Sequence, residues 1–435
     1  MSLEQYPFQI NSDGHLEIGG MDTVELSKKY GTPLYVYDVS IIRERCRAFV
    51  NTFKDLGVRA QVAYASKAFS SIAILQVIKQ EGLSVDVVSE GELYTALKAG
   101  VNPDKIHLHG NNKSIEELSM AIEHNIGCIV VDNFHEIKLL TDLLKQYNKK
   151  MDVIIRVTPG IKSDTHQYIM TGNEDSKFGF DLHNGQAEEA FNQLRENNHI
   201  TFKGLHCHIG SQIFDTDRFV TATNILFATL ADWKNNYGYI PEVLNLGGGF
   251  GIRYTDDDQP IPLNHYVERL VETVREKSES LNIPMPEIWI EPGRSIVGDA
   301  GITLYTVGSQ KHIPGVRDYI SIDGGMTDNI RPALYQAKYH GLLANRANEP
   351  SETIVSVAGK CCESGDMLIW DLPIPQVRSG DILAILSTGA YGYSMASNYN
   401  RIQKAAVVFV EDGKDKLVIK RETYQDILSH DLSYE

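Results

Sequence analysis

The sequence predicts a (β/α)₈ barrel of the TIM type combined with a second, mostly β-sheet domain that is formed by the N- and C-terminal segments. Between residues 60 and 297, eight short apolar runs alternate with stretches of helical periodicity. After residue 298 the pattern changes to strands and hairpins with few helices, and DGKDK at 412–416 is a hairpin signal. The first 35 residues resemble this second region, because HLEIGG and PLYVYD indicate strands around a short helix.

The eight apolar runs are short, rich in β-branched residues and bounded by turn signals, as is typical of strands that are buried on both faces. They are QVAYAS (61–66), SVDVVS (84–89), KIHLHG (105–110), CIVVD (128–132), DVIIRV (152–157), FKGLHCHI (202–209), VLNLGG (243–248) and EIWIEP (287–292). The stretches between them predict helices. One of these, SIEELSMAIEH (114–124), places apolar residues three and four apart behind an N-capping Ser114.

An open, doubly wound sheet would give a similar periodicity, so the position of the polar residues decides between the two folds. Reactive side chains lie at or just after the C-terminal ends of the predicted strands: Lys67, Ser89, Glu90, His109, Asp132, Arg156, His208 and Glu291. A barrel gathers the carboxyl ends of its strands around one mouth, whereas an open sheet does not. We therefore expect a barrel over 36–297, and a β domain over 1–35 and 298–435 that carries a proton donor and dimer contacts.

Composition excludes several classes of protein. The chain has 42% hydrophobic and 23% charged residues and a formal net charge of −16, so it lacks the basic surface that nucleic acid or anionic membranes require. Neither a signal peptide nor an apolar run of about 18 residues is present. The five cysteines are scattered and have no CxxC spacing, which disfavours disulfides and structural zinc. We expect a cytoplasmic enzyme without a metal, a membrane or a nucleic-acid partner.

Lys67, in YASKAF, follows the first predicted strand. A lysine at that position is often plain surface, but a partly buried one has a lowered pKa and can form a Schiff base. GGGFG (247–251) and EPGRS (291–295) follow the seventh and eighth strands. Glycine-rich backbone can cradle a phosphate, and phosphate sites recur at these two loops of a barrel. A phosphorylated ligand is therefore expected beside the lysine.

Glu291 lies at the same mouth and needs a cationic partner. The partner is either a protonated pyridine nitrogen or an arginine, Arg156 or Arg294. His206 and His208 alternate in GLHCHIGSQI and could bind a metal, yet no carboxylate completes that pair in the sequence. We favour His208 as a ring stacked on the ligand, Ser211 as a phosphate ligand and His206 as a packed core histidine.

Two segments of the predicted β domain also contain candidate active-site residues. KCCESGD (360–366) contains vicinal cysteines, and a thiol is a credible proton donor because its pKa lies near neutrality. Both cysteines could equally be small core residues. GAYGYSMAS (389–397) places Tyr391 beside a glycine, where its hydroxyl could reach a phosphate.

Nine motifs now stand in order along almost the whole chain: YASKA, HGNNKS, SKFGF, GLHCHIGSQ, NLGGGFG, EPGRS, DGGMTDNIRPALY, CESGD and GAYGYSMAS. In this order they resemble the diaminopimelate decarboxylases, which belong to the alanine-racemase-like fold type of pyridoxal 5'-phosphate (PLP) enzymes. The resemblance implies a PLP-binding barrel with a C-terminal β domain and a homodimer whose active sites are shared. A lysine at 360 and a second cysteine at 361 depart from the small or apolar residues expected there.

The resemblance also implies roles for individual residues. Lys67 would carry the cofactor, His208 would stack on its ring, Glu291 would pair with the ring nitrogen, and Cys362 would be the general acid, supplied by the second subunit. Residues around the cofactor would be Ser211, Gly248, Gly249, Pro292, Gly293, Arg294 and Tyr391.

The substrate argument concerns the far end of the amino acid. Diaminopimelate ends in a second amino-acid head, so its site needs cations for a carboxylate and an anion for an ammonium group. The residues expected to meet this need are Arg294, Arg331, Tyr335, Glu363 and Tyr391. Arg331, which precedes Pro332, could alternatively anchor a loop. The expected reaction is decarboxylation of meso-2,6-diaminopimelate to L-lysine, the last step of lysine biosynthesis. Alternatives are an ornithine, arginine or carboxynorspermidine decarboxylase, or a non-catalytic PLP-binding relative.

Overall fold

The computed structural model describes residues 5–160 and 176–435. The chain divides into two compact units. The barrel unit comprises Arg43–Gly251 and Pro260–Gly293, and the sheet unit comprises the residues up to Ile42, Ile252–Gln259 and Arg294–Glu435. The sheet unit thus includes 252–259, a segment that the sequence analysis assigned to the barrel. The reason is that Ile252 and Tyr254 pack in the hydrophobic core of the sheet unit.

The strands of the described residues are, in chain order, β1 (Gln9–Ile10), β2 (Leu16–Ile18), β3 (Met21–Asp22), β4 (Leu34–Asp38), β5 (Ala60–Ala65), β6 (Ser84–Val87), β7 (Ile106–Leu108), β8 (Cys128–Val131), β9 (Met151–Thr158), β10 (Phe180–Asp181), β11 (Ile200–His206), β12 (Val243–Asn245), β13 (Glu287–Ile290), β14 (Gly301–Ile313), β15 (Arg317–Ile322), β16 (Gly341–Leu343), β17 (Thr353–Ala358), β18 (Met367–Ile374), β19 (Ile382–Ile385), β20 (Ala406–Glu411) and β21 (Lys414–Ile419). The α-helices of the same residues are α1 (Thr23–Tyr30), α2 (Val39–Asp55), α3 (Ile72–Gln80), α4 (Glu90–Lys98), α5 (Ile115–Glu123), α6 (Phe134–Tyr147), α7 (Gln186–Arg195), α8 (Asp217–Tyr237), α9 (Leu263–Ser280), α10 (Arg294–Val297), α11 (Arg331–Tyr335) and α12 (Tyr424–Leu428).

The barrel unit is closed. Its parallel strands follow the order β5-β6-β7-β8-β9-β11-β12-β13, and the last strand pairs with the first through Ile288 and Ala60. This pairing excludes the open-sheet alternative and confirms the predicted barrel. Each of the eight apolar runs overlaps a barrel strand, because buried parallel strands consist of apolar residues on both faces. The short strand β10 pairs with β9 outside the ring.

Four consecutive barrel helices, α3 to α6, begin at residues whose side chains accept a backbone N–H of the first turn. These N-caps are Ser71, Ser89, Ser114 and Asn133. Ser114 and Glu117 form a full capping box, which confirms the helix predicted for 114–124. Such caps fix where each helix begins, and therefore the length of the loop that leaves the preceding strand.

The sheet unit is built on nine strands. Seven follow the path β18-β17-β15-β14-β4-β20-β21, while β19 pairs with β14 and β16 pairs with β19. N-terminal β4 lies between β14 and β20, so the prediction that both termini contribute to one sheet is confirmed. The hairpin β20–β21 turns at 412–413, within the predicted DGKDK segment. None of the helices in the described residues is long and apolar enough to cross a membrane.

Candidate active site

Glu291 follows the eighth barrel strand, β13, and is buried. Its Oε1 accepts a hydrogen bond from Asn245 Nδ2 at 2.6 Å and lies 2.9 Å from His109 Nε2. Its Oε2 lies 3.0 Å from His206 Nε2 and accepts a hydrogen bond from it. The carboxylate therefore has three nitrogen atoms around it, each from the end of a different strand, as the barrel topology predicts.

These neighbours keep Glu291 ionised. Burial alone would raise its pKa, but His109 and His206 outweigh burial and hold that pKa well below its usual range. Burial lowers the pKa of His206. The result is a fixed anion at the carboxyl ends of the strands, with capacity for one more donor, since a carboxylate offers about four lone-pair sites.

His206 is buried, as predicted for a packed core histidine, and its ring also bonds Glu291, a contact that was not predicted. A carboxylate does complete a set with two histidines, but the second is His109 rather than His208; the candidate ligand atoms of His109, His206 and Glu291 lie within 4.8 Å of one another. Nor is Glu291 paired with Arg156, whose guanidinium carbon lies 4.2 Å from the centroid of the Phe178 ring. The predicted absence of a metal stays a prediction.

His208 lies just past β11 and is partly buried. Its Nδ1 accepts the backbone N–H of Gly248 at 3.2 Å, which fixes the ring beside the glycine loop and leaves the proton on Nε2. Burial, followed by the nearby cations Lys67 and Arg156, lowers its pKa well below the ordinary value. His208 is therefore a neutral, oriented ring, which suits stacking.

The glycine loop allows a backbone approach that no other residue would permit. A Cβ on Gly248 would lie 2.2 Å from the carbonyl oxygen of Glu291, and one on Gly249 would lie 2.4 Å from that of Gly210. Gly249 also has φ +107°, which L side chains rarely adopt. Space of this kind admits backbone or a ligand in place of a side chain.

Lys67 lies in a short 3₁₀ turn, Ser66–Ala68, directly after β5. Its side chain is exposed to solvent, whereas the expected reactive lysine was partly buried. Within 5–160 and 176–435 no hydrogen bond or ion pair holds its ammonium group. The buried Asp86 is an electrostatic neighbour: burial raises its pKa, while His109 and Lys67 act in the opposite direction. The lysine is thus available for a covalent partner.

In the sheet unit, Arg294 lies at the start of the short helix α10 and is buried. Its Nη1 donates a hydrogen bond to Tyr254 Oη, and its guanidinium carbon lies 4.8 Å from the ring centroid of Tyr391. Tyr391 has φ 60°, a left-handed conformation that is costly for a non-glycine residue and is often found at functional sites. The geometry brings the predicted Arg294 and Tyr391 together.

Arg331 begins α11 and is also buried. Its Nη1 donates a hydrogen bond to Tyr339 Oη at 2.5 Å. Its guanidinium carbon lies 5.1 Å from the ring centroid of Tyr254, 5.8 Å from that of Tyr339 and 5.9 Å from that of Tyr391. Arg294 and Arg331, both buried, thus share tyrosine neighbours. Tyr335, another predicted substrate residue, lies half-buried at the C-terminal end of α11.

The vicinal cysteines differ in exposure. Cys361 is buried, and burial raises its pKa to about 11, with Asp366 adding to the effect. Cys362 is exposed, and its backbone N–H donates to Asn400 Oδ1 at 2.8 Å. The neighbouring Glu363 is exposed as well. Of the two thiols, Cys362 is the one that a ligand outside the unit can reach.

The remaining predicted residues border the same barrel loops. Pro292 accepts the backbone N–H of Ala65 at 3.1 Å, and Gly293 lies against Ala65 so closely that a Cβ there would be 3.0 Å from the Cβ of Ala65. Ser211 is partly buried in the loop after β11. The sequence analysis gave no role to Asn245, Tyr254 or Tyr339. The NLGGG motif holds Asn245 at a strand end, but no sequence signal points to the two tyrosines.

Comparison with known proteins places the chain in a class. Residues 39–298 match the family model described as pyridoxal-dependent decarboxylase, pyridoxal binding domain, and the chain belongs to that family. The predicted family and its PLP cofactor are thereby confirmed.

The relatives that the chain resembles carry a more particular name. It is 62% identical over 425 residues to the diaminopimelate decarboxylase of Bacillus subtilis (strain 168), covering 98% of this chain and 97% of that one. It is 47% identical over 422 residues to the diaminopimelate decarboxylase of Staphylococcus aureus (strain COL), covering 97% and 98%. The crystal structure of diaminopimelate decarboxylase from M. jannaschii in co-complex with L-lysine superposes with a TM-score of 0.93 at 36% identity, covering 99% of both chains.

The residues of the barrel unit fit PLP. Glu291 is a buried anion with room for one more donor, which a pyridine nitrogen requires if it is to stay protonated. Gly248 and Gly249 let the loop pack directly against the backbone of Glu291 and Gly210, where a side chain would not fit, and a glycine-rich backbone of this kind can present N–H groups to a phosphate. The exposed amine of Lys67 completes a donor set whose chemistry matches an aldehyde-bearing, phosphorylated pyridine.

Proposed function

We propose that this protein catalyses the PLP-dependent decarboxylation of meso-2,6-diaminopimelate to L-lysine and CO₂, as the last step of lysine biosynthesis. The observation that carries the proposal is the pair of buried arginines, Arg294 and Arg331, set among tyrosine rings in the sheet unit. A bidentate guanidinium suits a carboxylate, and a bare ammonium would be repelled. The proposal agrees with the name of the 62%-identical relative.

The barrel residues would bind and orient the cofactor. Lys67 would hold it covalently, neutral His208 would lie against its ring, and Glu291 would keep its nitrogen protonated. The loops after β12 and β13, with Ser211, would receive the phosphate. When bound, PLP accepts the electron pair that is released as the carbon–carboxylate bond breaks. The remaining tasks, which are substrate selection and proton delivery, belong to side chains of this chain.

Proton delivery is assigned to Cys362. After CO₂ has left, the carbon that carried it needs a proton, and an exposed thiol next to Glu363 can donate one. We propose that this thiol comes from the second subunit of a homodimer, so that Lys67 and Cys362 of different chains serve one site. The far amino-acid head of the substrate would be bound by Arg294, Arg331, Tyr335, Glu363 and Tyr391. The cysteines are free, which agrees with the proposed cytoplasmic location.

A substrate panel tests this function. Purified protein with PLP is offered meso-diaminopimelate, L-ornithine, L-arginine and carboxynorspermidine, and CO₂ release is measured. We expect kcat/KM for meso-diaminopimelate to exceed the others by about 10⁴-fold, because buried polar groups built for one substrate are left unpaired by analogues that lack its second carboxylate. Turnover of ornithine without turnover of diaminopimelate would contradict the proposal. The Vibrio vulnificus lysine/ornithine decarboxylase, 22% identical with a TM-score of 0.74, shares the fold alone.

A further inference from the structure

We propose that Tyr254 and Tyr339 are specificity-determining positioning residues: they hold Arg294 and Arg331 in place and stabilise Arg331 without neutralising it, so that the pair selects substrates with a second carboxylate. The inference rests on the proposed function and deepens it. Neither tyrosine lies in the motifs that the sequence analysis singled out. Both are buried in the core of the sheet unit.

The two tyrosines contact each other and both arginines. Their rings meet edge to face, with centroids 5.2 Å apart and an angle of 85° between planes. Tyr254 Oη accepts from Arg294, and its ring centroid lies 5.6 Å from the guanidinium carbon of Arg294 and 5.1 Å from that of Arg331. Tyr339 Oη accepts from Arg331 at 2.5 Å. One aromatic pair therefore fixes the planes of both guanidinium groups.

The choice of tyrosine has an electrostatic consequence. A buried arginine usually has a carboxylate partner, since an unpaired buried charge is costly. Among the described residues no carboxylate forms an ion pair with Arg331, whose stabilising contacts are ring faces and a phenol. Burial lowers the pKa of Arg331, but the surrounding tyrosines more than compensate and the group stays charged. Burial raises the pKa of Tyr339, so this partner stays neutral.

A carboxylate in place of these tyrosines would cancel the charge and compete with the substrate. A neutral phenol positions the guanidinium and leaves its net charge for a ligand. Within the described part of the chain, the Arg331 guanidinium makes one hydrogen bond, to Tyr339 Oη. A guanidinium carries five N–H donors, so four of them remain for a ligand. Such an arrangement fits an arriving carboxylate.

The test compares two ligands that differ by that carboxylate. In Tyr339→Phe and Tyr254→Phe holoenzymes we expect KM for meso-diaminopimelate to rise roughly 10- to 100-fold, as for the loss of a hydrogen bond to a charged group, with kcat changed less than about threefold. The affinity for L-lysine, titrated through the absorbance of the bound cofactor, should fall by a similar factor, because L-lysine keeps the far carboxylate after decarboxylation. The affinity for cadaverine, which lacks that carboxylate, should stay within about twofold of wild type.

Tyr305→Phe is the matched control. Tyr305 lies in the same core, fully buried, and its Oη has no hydrogen-bond partner among the described residues. This variant should behave like wild type toward both ligands. Unchanged KM values in Tyr339→Phe and Tyr254→Phe, or equal losses of affinity for L-lysine and cadaverine, would overturn the inference. A wild-type protein that does not decarboxylate diaminopimelate would instead overturn the proposed function.

Discussion

Replacing Lys67 with alanine is expected to abolish the visible absorbance of the PLP-reconstituted protein and to lower decarboxylation by roughly 10³-fold, equivalent to about 4 kcal/mol of activation free energy. Lys67 follows the first barrel strand with an exposed amine that no hydrogen bond or ion pair within the described residues engages. An amine in this position can bond the carbonyl carbon of the cofactor, and alanine cannot.

Lys79→Ala controls for the loss of a positive charge. Lys79 is an exposed lysine at the end of α3 in the same unit. We expect this variant to keep both the absorbance and the activity of wild type. Absorbance that persists in Lys67→Ala after dialysis would show that another amine carries the cofactor.

The second large effect is expected at Cys362. Cys362→Ala should lower kcat by about 10²–10³-fold, within the range of a general acid, while the cofactor spectrum stays intact. The adjacent Cys361→Ala is a control that changes the same atoms one residue away. Cys361 is buried and its pKa is raised to about 11, so it is a poor donor near neutral pH, and its variant should stay close to wild type. The reverse result would move the donor to Cys361.

The same two variants test whether each active site contains residues from both subunits. Lys67→Ala and Cys362→Ala, each inactive alone, should regain part of the activity when they are mixed and allowed to exchange subunits, because a mixed dimer then has an intact pair from opposite chains. Activity that fails to return, although mixed dimers are present, would place both residues in one subunit's site. Measured subunit exchange is therefore part of the experiment.

The sequence alone was sufficient for the elements that local patterns encode. Each barrel strand overlaps a predicted apolar run, because strands buried on both faces leave continuous β-branched stretches. The capping box at Ser114 and Glu117 fixes the start of α5 in the same local way. Closure of the barrel depends on Ile288 pairing with Ala60, a long-range contact that no local pattern encodes. The reactive residues at the strand ends predicted this closure indirectly, because a barrel brings those ends together and an open sheet does not.

Within the site, residue types were predictable and partners were not. Glu291 was expected at the barrel mouth, but sequence spacing could not show that His109 and Asn245 would reach it from other strands. His206 is buried as expected, but its bond to Glu291 could not be predicted, because the carboxylate comes from a strand 85 residues further along the chain. Tyr254 and Tyr339 left no signal, since their role depends on the tertiary position of two arginines.

The most direct measurement is the turnover of meso-diaminopimelate by the PLP-bound protein in D₂O, with CO₂ and product quantified together. The account predicts equal amounts of CO₂ and L-lysine, and a single carbon-bound deuterium on the lysine, located at the carbon that lost its carboxylate. Release of CO₂ without lysine, or no reaction with diaminopimelate, would contradict it.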